Sequence, residues 1–150
     1  MFLIRGLAAL ATLWPAKSLA ACALVLLGNG TMTLSVDGRT LGTGNGGLAA
    51  PATLTVANTG LAPVTVTVTA PGWVSYPAGY SSGAATLEVA YTGAGLLGSV
   101  SHAYTSADSH FDVPGLLNVA TLVSLNARIT SPAGFKAGTY VSRSVVTCSG

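Results

Sequence analysis

Five consecutive residues hold the densest set of groups able to bind a metal ion: Asp108-Ser109-His110-Phe111-Asp112. In an extended segment Asp108, His110 and Asp112 project from one face, and His102 can approach on a neighbouring strand. Two imidazoles with two carboxylates can hold zinc or manganese. The same residue types also make ordinary solvated loops, and Pro114-Gly115 marks a turn just beyond. The expectation is a solvated loop and no cofactor, with Asp108, His110 and Asp112 as the metal candidate. Covalent or acid–base catalysis finds little material. The chain has four Asp+Glu and two His, no Gly-x-Ser-x-Gly elbow, and no Cys placed for a Cys/His pair. A non-enzymatic protein is expected.

Trp73, Tyr76 and Tyr80 cluster between Pro71 and Gly83. Exposed aromatics on such a loop can stack on sugar rings, so these three are the candidate ligand contacts. Trp73 also fits the buried tryptophan of a two-sheet core. Gly42-Thr43-Gly44-Asn45-Gly46-Gly47 lacks the Lys-Ser/Thr of a phosphate loop and reads as a flexible hairpin connection. Tyr140 after Gly138 fits a structural tyrosine corner.

The two cysteines, Cys22 and Cys148, raise the question of compartment. Residues 1–20 read as an export signal: Arg5 supplies the charged start, Gly6 to Trp14 the apolar stretch, and Ser18-Leu19-Ala20 the small residues before a cut ahead of Ala21. The apolar stretch is too short to span a bilayer. Removing it takes Arg5 and Lys17 and leaves four basic against four acidic residues. A chain without net charge has no electrostatic case for nucleic acid. In an exported chain, Cys22 and Cys148 read as a disulfide closing a loop over almost the whole mature domain. Leu19-Ala20-Ala21-Cys22 also resembles a bacterial lipoprotein box, with the cut after Ala21. Cys22 would then carry lipid, and only then is membrane attachment expected.

Period-two alternation runs through the mature chain and no period of 3.6 is visible. Met32, Leu34 and Val36 alternate with Thr31, Thr33 and Ser35. Leu54 and Val56 alternate with Thr53 and Thr55, and Val64, Val66 and Val68 with Thr65, Thr67 and Thr69. Leu87, Val89 and Tyr91 oppose Thr86 and Glu88. Val123, Leu125, Ala127 and Ile129 oppose Ser124, Asn126 and Arg128. A strand near Ser99–Thr105 followed by a loop, and a last strand over Thr139–Thr147, complete the pattern. Turn formers separate these runs, among them Asn58-Thr59-Gly60 and Ala70-Pro71-Gly72. One antiparallel, all-β, Ig-like β-sandwich of seven to eight strands, covering residues 21–150, is expected.

Ala137-Gly138-Thr139-Tyr140, leading into an alternating strand, resembles the final strand of chaperone–usher pilin subunits and is similar to spore-coat-U-like secreted domains. Val56-Ala57-Asn58-Thr59-Gly60 followed by Pro63-Val64-Thr65-Val66 resembles a hairpin of bacterial Ig-like surface domains. The resemblance implies a missing last strand and an exposed groove, filled by a strand from a chaperone and then from the next subunit. It implies a strand-pairing edge at Thr139, Tyr140, Val141, Val145 and Thr147. Self-association, other fibre subunits and a periplasmic chaperone are the implied partners. The donor candidate is Ala23-Leu24-Val25-Leu26-Leu27. That segment does not alternate, and it can instead fold back to complete its own domain. The expected role is a structural subunit of a surface fibre or coat. A self-complete exported binding module for glycan or protein is the alternative.

Overall fold

The computed structural model describes residues 22–96, 98–115 and 119–150. The export signal expected at 1–20 and its cut lie outside the described residues. The described residues contain no α-helix; Ser82–Ala84 forms a single 3-10 turn, and every strand pairing is antiparallel.

The larger sheet is organised by β10 (Val119–Thr130). Along one side it pairs with β7 (Thr86–Gly95), which in turn pairs with β8 (Gly98–Thr105). The other side is shared. The first half of β10 pairs with β4 (Ala52–Asn58), and its end pairs with β3 (Thr40–Gly42). Beyond β4 lies β1 (Cys22–Gly28), and beyond β3 lies β2 (Thr33–Leu34). The smaller sheet has the order β12 (Val146–Ser149), β5 (Val64–Val68), β9 (Ser109–Val113). A two-stranded ribbon joins β6 (Gly72–Ser75) to β11 (Val141–Arg143).

Alternation explains which faces are buried. Val64, Val66 and Val68 are at most 1% exposed, while Thr65 and Thr67 between them reach the surface. Leu54 and Val56 on β4, Val89 and Tyr91 on β7, and Val123 and Leu125 on β10 meet them in one apolar cluster, joined by Phe111 and Val113 of β9. Both sheets therefore share a core. Each fully buried valine contributes roughly 1.5–3 kcal/mol.

One buried polar side chain pins this core at its end. Asn58 is fully buried; its Nδ2 donates to the carbonyls of Ala62 (2.8 Å), Val113 (3.3 Å) and Pro114 (3.2 Å), and its Oδ1 accepts from the Gly60 N–H (2.9 Å). The turn expected at Asn58-Thr59-Gly60 is thus tied both to its own hairpin and to the end of β9.

Four local expectations are revised. The run 31–36 forms strand only at β2, because Ser35 and Asp37 are taken into a tight turn with Gly38 at φ +69°. The stretch after Thr105 contains β9, whose Ser109, Phe111 and Val113 face inward. Gly72 starts a strand and does not end a turn. The glycine-rich connection is held in place: Thr43 Oγ1 donates to Asn126 and accepts from the Ala127 N–H, while Asn45 Nδ2 donates to the Thr33 and Thr40 carbonyls.

Candidate functional site beside the last strand

The last strand expected over Thr139–Thr147 is two strands. Thr139 and Tyr140 precede β11, Val141 lies in it, Val145 sits in the break, and Thr147 lies in β12. β11 pairs with β6, and β12 pairs with β5. The bend between them is fixed by the Thr69 N–H donating to the Val145 carbonyl (2.9 Å) and the Val145 N–H donating to Thr69 Oγ1 (2.8 Å). β5–β6 and β11–β12 thus run together as one bent antiparallel pair. The opposite edge of β11 and of β12 has no strand partner among the described residues.

That free edge borders an apolar groove. Leu54, Val89 and Leu125 of the larger sheet form its floor, Leu26 and Met32 one wall, and Pro71, Val74, 141–144 and Val146 the other. Its volume is about 680 Å³. A neighbouring cavity of about 430 Å³ shares Gly30, Met32, Val141 and Ser142 with it and extends the groove to Gly138 and Tyr140.

β1 leaves its core-facing side chains partly exposed here. Leu24 lies opposite Val56 and Leu26 opposite Leu54, so both leucines share the core-facing side of the larger sheet. Val56 and Leu54 are 0% and 5% exposed, but Leu24 and Leu26 are 36% and 62% exposed. The smaller sheet ends at β12 before it reaches them. Val25 and Leu27, on the outer face, are also exposed. Ala23 to Leu26 thus pair with β4 of their own chain, with Leu27 in an irregularity before Gly28, while leaving both faces largely open.

The N-terminal end of β1 is closed covalently. Cys22 and Cys148 form a disulfide, with Cα atoms 6.3 Å apart. The Cys22 sulfur, which lipidation would require, is occupied by this bond. A disulfide suits an oxidising, exported environment. Among the described residues, no helix is long and apolar enough to cross a membrane.

The groove's other end is shaped by Gly138 and Tyr140. Gly138 has φ +141°, and a Cβ there would lie 2.5 Å from the Pro77 ring. The Tyr140 hydroxyl donates to the Lys136 carbonyl and accepts from the Lys136 N–H, each at 2.9 Å, locking the turn into β11.

Trp73, Tyr76 and Tyr80 come together with Tyr140, expected as a tyrosine corner, and with Phe135, which the sequence did not single out. Trp73 and Tyr76 meet edge to face at 5.4 Å, and Tyr80 stacks on Phe135 at 5.8 Å and meets Tyr140 at 5.0 Å. Tyr80 is buried and Trp73 half-buried, which leaves Tyr76 as the exposed member. The rings mostly present their faces and edges to one another.

The metal candidate is not gathered. Asp108 Oδ1 accepts from the Ala70 N–H (2.7 Å), Asp112 Oδ1 accepts from Thr65 Oγ1 (2.7 Å), and His110 projects outward from β9. His102 stacks instead on Tyr91, with ring centroids 5.3 Å apart. Among the described residues no three His, Cys, Asp or Glu side chains converge.

No protein-family model, curated protein or solved structure matches the chain. The groove's own geometry therefore carries the functional argument.

Proposed function

We propose that this protein is a non-enzymatic structural subunit of a bacterial surface fibre or coat, an exported Ig-like sandwich completed by a strand from another chain. One observation supports the reading above the rest: an apolar groove lies between the larger sheet and the β6–β11 ribbon, beside the unpaired edge of β11–β12, and the core-facing Leu24 and Leu26 near it are 36% and 62% exposed. Unpaired strand edges beside apolar surface are templates for strand addition. An added strand gains main-chain hydrogen bonds from β12 and β11 and places alternate side chains over Leu26, Leu54 and Leu125. Ala23–Leu27 already serves β4, so the incoming strand comes from outside the domain.

The test uses material sheared from the surface of the native host and run on a denaturing gel unboiled and boiled. Strand-linked subunits give an unboiled ladder that boiling resolves into the mature band and the band of the chain that donates the strand. Ala127→Trp, which fills the groove floor, abolishes the ladder while circular dichroism still reports a folded β domain. A single band in both lanes for the wild type would sink the proposal.

A further inference from the structure

The groove is almost without charge, and the exception carries information about what enters it. Arg143, at the end of β11, is the one charged residue among those lining the groove. It is exposed and makes no ion pair among the described residues; the ion pair there is Arg128 with Glu88. A cation at the rim of an apolar slot, partly shielded from water by any strand laid against it, favours an occupant that brings a negative charge to it.

This chain does not supply that charge from a free strand. It has four Asp+Glu in all, and none falls in residues 1–36. Glu88 is bound by Arg128. Asp108 accepts from the Ala70 N–H, Asp112 from Thr65, and Asp37 from Ser35 and the Arg39 N–H. The candidate donor Ala23–Leu27 is uncharged, paired to β4 and tethered through Cys22. Resting on the strand-accepting reading above, we infer that the groove takes an extended segment of a different protein. That segment is apolar at alternate positions and carries a carboxylate where it passes Arg143. The disulfide closes the slot at the Cys148 end and so limits how far the segment can slide, which fixes the position of its acidic residue.

The experiment uses the oxidised mature chain and fluorescein-labelled nine-residue peptides of alternating Val and Thr. One residue is Glu, Gln or Lys, placed in turn at each position, and binding is read by anisotropy. At one position the Glu peptide binds about tenfold more tightly than the Lys peptide at low salt, and the gap shrinks as salt screens the pair. Arg143→Gln removes the preference and Arg143→Glu reverses it. Equal binding of all three peptides at every position would overturn the inference and leave strand acceptance standing. A Glu preference unchanged in both Arg143 variants would also overturn it. Binding of none of the peptides would count against both.

Discussion

Cys22 and Cys148 join the outermost strand of one sheet to the outermost strand of the other. Cys22 lies opposite Asn58 on β4, and Cys148 opposite Val66 on β5. The bond therefore closes one end of an otherwise open side of the core, and it ties down a β1 that buries little of its own apolar surface. Cross-linking across so long a stretch of sequence acts mainly on the unfolded chain.

Replacing both cysteines with serine is expected to cost about 2–5 kcal/mol. A lower urea midpoint would show it, with a steeper slope because the unlinked denatured chain exposes more surface. Amide exchange should rise first at Ala23–Leu27, since that strand loses its tether and has little packing to replace it.

Asn58→Ala removes a side chain that satisfies backbone groups from two loops at once. Leaving buried carbonyls and an N–H without partners is expected to cost about 3 kcal/mol. Urea titration measures this, and Asn58→Asp should be no milder, since it loses the donating Nδ2.

Gly138→Ala places a methyl group against Pro77 in a backbone conformation that side chains rarely adopt. A loss of about 1–3 kcal/mol is expected. Because the strain falls at the entry to β11, strand addition should weaken more than the melting temperature alone suggests.

Asp37 supplies a small, signed pH effect. The Ser35 hydroxyl and then the Arg39 N–H donate to its carboxylate and hold its pKa below the usual value. The unfolded chain thus takes up this proton at a higher pH than the folded chain does. The stabilisation is complete above the unfolded carboxylate pKa and is lost as pH falls through the lower folded value. Stability of wild type relative to Asp37→Asn, followed from pH 6 down to about pH 2, should therefore shrink towards the acid end.

Much of the fold was legible where both alternation and residue type agreed. Val64 to Val68 and Val123 to Ile129 announce strands because β-branched and aliphatic residues recur at every second position, and their burial follows that pattern. β9 was hidden because its inward face begins with Ser109 and its outward face carries His110 and Asp112, types that suit loops equally well. The break in the last strand was not legible at all: residues 144–145 contain no proline or glycine, and the bend is imposed from Thr69 across the pair. An exposed groove was implied only by the resemblance, and for a single last strand where the chain forms two. The lone cation could be recognised only once folding had set Arg143 in the lining of the groove that Leu54 and Leu125 floor.

The bent pairing of β5–β6 with β11–β12 has a mechanical side. A pull applied through the β11–β12 edge loads the hydrogen bonds to β5 and β6, and at Cys148 it also reaches a covalent bond. Force passing that bond enters β1 and spreads along the β1–β4 pairing, so tension is divided between the two sheets. Resistance to such a pull is set by the rate of unfolding. In the oxidised protein, stripping β12 from β5 leaves the strand tethered, free to zip back when the load drops.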